Sequence, residues 1–358
     1  MANKPFPNLL PKGFQDRLTE DISLESEVLN RLMNLFDQFG YERVKPPLLE
    51  YEDSFFANGN ISLKNSSFRM MDSHTGQMLV LRPDITPQIS RIAATALKTQ
   101  QRPLRLAYNG QVVHLHHDEL SGARQFTQVG IEIIDVKPEK RNQANCEAIL
   151  LAILALEACD ISDLIVDITL PQASDSIIEA AMLDPQEEQN LRKALNHKDS
   201  SALKDLPSSL RKDLEILLNN AGAASDVLSA LEDHHFVYAG AKLIEQIEQC
   251  KQLCNTVQNQ RPDINLTLDP LEQRGFEYHQ NIGFNIYTKS ARGALAAGGS
   301  YLGCDNSWAT GMTVYLEMLR PFLGSVSSRT CYAMPLTNSL KDIQDAQAKG
   351  QRCSWDLS

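Results

Sequence analysis

Aromatic residues are scarce, at 6% of the 358-residue chain, and no long apolar run exists. The longest, Ile149 to Leu156, stops at Glu157, far short of the ~20 residues that span a bilayer. The opening MANKPFPNLLPKG contains no signal-type apolar stretch. Cysteine is sparse as well. Seven are scattered from Cys146 to Cys353 with no C-x-x-C pair, and Cys250 and Cys254 stand four apart in a polar helical stretch. That odd number and spacing argue against a disulfide framework or a zinc knuckle, and the chain reads as a reduced, cytoplasmic protein. Positive charge is in deficit, with 34 Lys plus Arg against 45 Asp plus Glu and a net charge of −11. A broad nucleic-acid footprint needs a basic stripe, so at most a local patch is left. The common nucleotide loops, G-x-G-x-x-G after a strand and G-x-x-x-x-G-K-[ST], are missing too.

What is present is ordinary globular material, 42% apolar and 22% charged, enough for a large core and, by length, roughly two to two and a half domains. Leu24, Val28, Leu32, Leu35, Phe36 and Phe39 recur at helical spacing over 22–39, with Gly40 as a stop. A strand YERVKPP follows, which must end or lie at an edge where Pro46 and Pro47 remove two donors. In LRPDITPQISRIAATAL (81–97) Thr86 is the expected N-cap and Pro87 the first helical residue, leaving Asp84 near the positive helix end. Two alternating runs, Leu104–His116 and Arg124–Ile134, predict an antiparallel hairpin. Phe126, Gln128, Gly130 and Glu132 share one of its faces, and Tyr108, Gly110, Val112, His114 and His116 line up on the other strand. Polar groups flanking a glycine suggest a floor with room for a ligand.

A helix is expected over 143–159. From 172 to 260 the chain is polar and poor in β-branched residues, which reads as a helical insertion. DINLTLD (263–269), IGFNIYT (282–288) and ALAAGG (294–299) return to strands. Met312–Leu323 is expected as a last core helix, and the polar 324–358 as a tail poorly ordered at its end. The expected organisation is a core in two parts, 1–171 and 261–323, around the 172–260 insertion. Interrupted, hairpin-like strands with outer helices favour an antiparallel α+β sheet.

Five ordered segments, FGYERVKPPLLEY, LRPDITPQISRIAA, RQFTQVGIEII, RGFEYHQNIGF and AAGGSY, resemble histidyl-tRNA synthetases from about Leu9 to Arg320. LRPDITPQISRIAA is closer still to their non-charging relatives, the regulatory subunits of ATP phosphoribosyltransferase, where synthetases typically carry a Glu-Gly-Thr version. The resemblance implies a class II aminoacyl-tRNA synthetase-like antiparallel sheet flanked by helices.

The departures are equally informative. The synthetase motif that clamps the ATP α-phosphate with Arg-x-Glu aligns with His114 and His116, and the Gly-Leu-Glu-Arg that grips the γ-phosphate reads Tyr315-Leu316-Glu317-Met318. Met cannot give the two-pronged hydrogen bonding that makes Arg suited to phosphate, and Tyr in place of Gly crowds the nucleotide. Without these clamps the charge of adenylate formation goes unstabilised. Some 35 residues follow the last expected core helix, where synthetases carry an anticodon-binding domain; no tRNA reader is expected.

The amino-acid side of the family pocket carries over to Asp84, Thr86, Gln128, Glu132, Arg274, Tyr278 and Tyr301. The chemistry supports it independently. Asp84, Thr86 and Gln128 can accept from an ammonium, Arg274 can meet a carboxylate, and Glu132 and Tyr278 can satisfy an imidazole. Buried groups of this kind discriminate sharply, because a wrong ligand leaves them unpaired. His279 and Ser300 depart from the family's Tyr and Arg. Taken singly, Glu132 and Gln128 are ordinary edge-strand polar groups, Asp84 a dipole-favoured helix-start residue, and Arg274 and Tyr278 surface residues of a polar loop. The ordered match turns them into one pocket. His114, His116 and His117 lack Cys or carboxylate companions at metal-site spacing, so no metal or cofactor is expected.

The resemblance further implies a non-catalytic subunit that associates with a short-form catalytic ATP phosphoribosyltransferase, senses histidine as effector, and self-associates as a dimer within a hetero-oligomer. A divergent amino-acid-activating ligase with a non-tRNA acceptor is the alternative.

Overall fold

The computed structural model describes residues 9–57, 61–116, 122–238, 240–272, 279–324, 331–335 and 339–356. The first helix, α1 (Thr19–Gln38), buries Val28, Leu32 and Phe36 of the predicted stripe together with Met33, while Leu24 and Leu35 are half-buried and Phe39 lies beyond its end and is exposed. Gly40, at φ +80°, takes the left-handed step that closes the helix. The strand after it is only β1 (Glu42–Arg43), parallel to the later β5. Pro46 and Pro47 end it, and their carbonyls accept instead from the Arg82 guanidinium at 3.1 and 3.4 Å. A small antiparallel sheet, β2 (Leu49–Tyr51), β3 (Phe68–Met71) and β4 (Met78–Leu81), carries the single-turn helices α2 (Glu52–Phe55) and α3 (Ile61–Asn65).

Helix α4 (Thr86–Ala94) begins one residue earlier than its cap chemistry predicts, with Ile85 at the N-cap and no side-chain cap bond. The hairpin forms as expected, β5 (Leu104–Val113) against β6 (Gln125–Ile134), with Tyr108 opposite Gly130. Helix α5 (Arg141–Glu157) is apolar nearly all round and correspondingly buried. After β7 (Leu164–Thr169) come helices α6 (Ala173–Ala181), α7 (Pro185–Asn196), α8 (Ser208–Asn219), α9 (Ala224–Asp233) and α10 (Ala241–Gln260), with the short strand β8 (Gly222–Ala223) among them. Strands β9 (Asn265–Asp269), β10 (His279–Thr288), β11 (Ala296–Leu302) and β12 (Trp308–Tyr315) complete a nine-stranded sheet in the order β1-β5-β6-β12-β11-β10-β7-β9-β8.

That sheet is antiparallel except at β1–β5 and β7–β9, and helices flank it. The α+β architecture expected from the sequence is the one observed. One element differs. Met312–Leu323 is not a helix: Met312–Tyr315 complete β12, and only α11 (Leu316–Leu319) follows. Thr310, Thr313, Val314 and Tyr315 are strand formers, and β12 fills the slot between β6 and β11. The polar tail also carries structure: parallel β13 (Cys331–Met334) and β14 (Arg352–Trp355) are joined by α12 (Leu340–Ala348), which Ser339 and Asp342 cap reciprocally. Among the described residues no helix is long and apolar enough to cross a membrane.

Candidate functional site

The floor of the site is the middle of the sheet, where β5, β6, β12 and β11 lie side by side. Period-two alternation aims Gln128 and Glu132 to one face of β6. The register sets Gly311 of β12 directly opposite Glu132. A Cβ at position 311 would come within 2.1 Å of Glu132 Oε2, so this glycine is what gives the carboxyl group its place. Gly130 is not room for a ligand, as its flanking polar groups suggest. Its space is filled by the Tyr108 phenol and the Met312 carbonyl, 2.6 and 2.4 Å from where a Cβ would stand.

Glu132 is 2% exposed and held from two sides. The Thr86 hydroxyl donates to Oε1 at 3.1 Å and the Tyr301 phenol to Oε2 at 2.8 Å. Tyr108 lies 3.5 Å from Oε1 and shares a 2.8 Å hydrogen bond with Thr313. Thr86 thus spends its hydroxyl on Glu132 rather than on capping α4. Beside it the Ile85 N–H donates to Gln128 Oε1 at 3.0 Å and the Thr86 N–H to Asp84 Oδ1 at 3.3 Å. The start of α4 is thereby pinned to β6 and to the acid that precedes the helix.

Burial dominates the electrostatics. It pushes the Glu132 carboxyl up to about 8, against the opposing pull of the Tyr301 and Thr86 hydroxyls. Asp84 is also raised by burial, opposed by the Thr86 N–H and the Gln128 side chain. These groups surround a cavity of about 250 Å³ whose described lining carries Asp84 and Glu132 but no Lys or Arg. It is large enough for a free amino acid and chemically suited to a cationic one.

The structure therefore brings Asp84, Thr86, Gln128, Glu132 and Tyr301 into one cavity. Arg274 and Tyr278 lie outside the described residues. Ser300 faces the other way, donating to Asn145 Oδ1 at 2.9 Å beneath α5, so this departure does not reach the cavity. His279 pairs through its backbone with Tyr301. Thr313, Tyr315 and His114 also line the cavity, and sequence reasoning did not place Thr313 there. The expected helix over Met312–Leu323 hid that Thr313 belongs to strand β12 and faces the cavity.

The residues aligned with phosphate clamps have other work. His114 Nε2 lies 2.9 Å from the Pro83 carbonyl, and its ring packs 5.2 Å from Phe126 at the cavity mouth. His116 is exposed, and His117 lies outside the described residues. Burial, with the Asp84 charge adding to it, pushes the Tyr315 phenol up. Glu317 accepts the Thr127 N–H at 3.0 and 2.9 Å and pairs with Arg17 at 2.5 Å. Met318 packs against the main core.

Comparison with known proteins gives a consistent picture. The histidyl-tRNA synthetase family model matches residues 13–319. The ATP phosphoribosyltransferase regulatory subunit of Paramagnetospirillum magneticum is 35% identical over 86% of this chain and 80% of its own length. That of Rhodospirillum centenum is 35% identical over 87% of this chain and 80% of its own. In three dimensions an ATP phosphoribosyltransferase regulatory subunit/histidyl-tRNA synthetase from Bacillus halodurans superposes with a TM-score of 0.83 at 23% identity, over 99% of this chain and 94% of that one. A histidyl-tRNA synthetase from Nostoc sp. PCC 7120 gives 0.78 at 15% identity, over 99% and 86%. These two likenesses concern the fold.

Proposed function

Because this chain belongs to the ATP phosphoribosyltransferase regulatory subunits, a histidine-biosynthesis family on the class II synthetase-like scaffold, we propose that it is a non-catalytic subunit which binds histidine in the Glu132 cavity and passes that signal to a short-form catalytic partner. The observation that carries this reading is Glu132, buried and held between the Thr86 and Tyr301 hydroxyls in an acidic cavity of about 250 Å³. An imidazole directed at Glu132 meets a buried carboxyl that donates to a bare ring nitrogen while protonated and accepts from a ring N–H once ionised. Asp84, Thr86 and Gln128 receive the ammonium, while Arg274 meets the carboxylate and Tyr278 the second imidazole nitrogen. Each group left unpaired by a different amino acid costs about 1–3 kcal/mol, the basis for selecting histidine.

Regulation then follows from linkage. Histidine shifts the complex only as far as it binds one conformation better than the other. The partner requires this chain for activity, and histidine bound here lowers that activity. The assembly is a hetero-oligomer built on a dimer of this chain, in the cytoplasm, as expected of the first step of a biosynthetic route.

Activation of histidine with ATP is not part of this function. His114 packs on Phe126, and Met318 packs half-buried against the main core, where its thioether offers no charge to pair with phosphate. ATP–pyrophosphate exchange in the presence of histidine is expected at the no-enzyme background, while titration calorimetry of the assembled complex registers histidine. Robust histidine-dependent exchange would sink this reading and revive the amino-acid-activating ligase.

A further inference from the structure

A two-residue clamp outside the cavity fixes the strand beside it. On β10 the chain carries a bulge: Gly283 pairs with Gly299 of β11, but the next pair is His279 with Tyr301. Three residues of β10, 280–282, therefore span a single residue of β11. At the centre of the bulge Asn281 sits at φ +71°, a left-handed conformation that costs energy for any residue but glycine and is least unfavourable for Asn and Asp. Conformations of this kind persist only where the surroundings over-determine them.

The surroundings here come from α10. The Gln246 side-chain amide donates to the Asn281 carbonyl. The Asn281 amide donates to Gln249 Oε1 at 2.7 Å. Gln246 is 3% exposed, a buried polar side chain on the inner face of a helix whose other buried positions are apolar or Cys. Both backbone and side chain of Asn281 are thus held by one turn of one helix. Asn281 is half-buried, next to the buried strand residues Ile282 and Phe284, so a slip in the bulge would move the alternation of β10 across the sheet.

The link to the cavity is the register. The bulge decides that position 279 stands opposite Tyr301, and Tyr301 is the donor to Glu132 Oε2 at 2.8 Å. In sequence the candidate ligand contact Tyr278 directly precedes His279, and Arg274 stands five residues before it.

We infer that Gln246 and Gln249 are positioning residues for the histidine pocket, clamping the Asn281 bulge so that α10 and the pocket move as one body. This rests on the histidine-pocket reading and deepens it: α10 becomes the element through which occupancy of the cavity is felt in the helices of 173–260.

The test is calorimetric titration of histidine into the chain assembled with its catalytic partner, for wild type, Gln249→Leu, Gln249→Glu and Gln246→Leu, with a melting curve for each. Gln249→Glu keeps the acceptor for the Asn281 amide, so it is expected to hold histidine affinity within about twofold of wild type. Gln249→Leu is expected to weaken it about tenfold, a loss on the scale of one hydrogen bond, while melting and co-elution with the partner stay near wild type. Gln246→Leu is expected to weaken it further. A merely structural role predicts lower melting temperatures with histidine affinity unchanged in the chains that remain folded, and that result overturns the inference. Equal weakening by Gln249→Glu and Gln249→Leu also overturns it, since the retained acceptor should rescue. A wild-type complex that does not bind histidine is a different failure: it removes the pocket reading itself, and this inference with it.

Discussion

Glu132→Gln is expected to abolish histidine sensing and, at alkaline pH, to make the ligand-free chain more stable than the wild type. Both follow from the burial of a carboxyl group in the proposed histidine pocket. The unfolded chain's Glu ionises near 4.3, whereas burial holds the folded group at about 8. Between those values the native chain keeps a proton that the unfolded chain has released. Stability contributed by Glu132 therefore declines as pH rises through this window, and the whole penalty is present above about pH 8. Gln cannot ionise and escapes it. The stability gain of Glu132→Gln should be small near pH 5 and grow to on the order of 2–4 kcal/mol by pH 9. Histidine binding should weaken by about a hundredfold, the loss expected for a buried charged hydrogen bond. Thermal melts at pH 5, 7 and 9 with histidine titrations check both. A stability difference that does not change with pH, or unaltered histidine affinity, contradicts the account.

Gly298→Ala is expected to be strongly destabilising for a change of a single methyl. A Cβ at position 298 would stand 2.3 Å from the Gly311 carbonyl and 2.6 Å from the Phe284 ring. The first neighbour is backbone of the adjoining strand, which cannot yield by a rotamer change. Relief requires β11 and β12 to separate, and with them Tyr301 and the glycine that accommodates Glu132. Overpacking of this kind costs about 3 kcal/mol or more, a large part of a domain's usual stability. Urea unfolding should show a midpoint lowered in proportion, with no change in slope. An alanine variant as stable as wild type would mean that the two strands are not held at the separation described.

Much of this fold is legible from periodicity. The stripe Val28, Leu32 and Phe36 marks α1, and the alternation through Gln128, Gly130 and Glu132 marks β6 and the face that carries the site. Ordered similarity, not periodicity, names the candidate pocket residues, of which Asp84, Thr86, Gln128, Glu132 and Tyr301 line one cavity; taken alone, Asp84 is a helix-start acid and does in fact meet the Thr86 N–H. The failures have physical causes. Trp308–Tyr315 is buried on both faces, so its alternation of polar and apolar residues is lost, and its apolar run flows into α11 without a stop signal. Thr86 looks like a cap because capping is the usual use of such a hydroxyl, but Glu132 competes for it across the sheet. Gly130 looks like ligand space, whereas a phenol from the neighbouring strand occupies it. Each of these depends on cross-strand register, which no local pattern encodes. The clamp from Gln246 and Gln249 to Asn281 is of the same kind, set by the packing of a helix on a strand some thirty residues later.

The most direct test is reconstitution. This chain is mixed with the short-form catalytic ATP phosphoribosyltransferase of the same source, and phosphoribosyl-ATP formation is followed with and without histidine. The account predicts that the two chains co-elute, that activity rises when this chain is added, and that histidine lowers it for wild type but not for Glu132→Gln. Activity of the catalytic chain that is indifferent to this chain, with no co-elution, would contradict it.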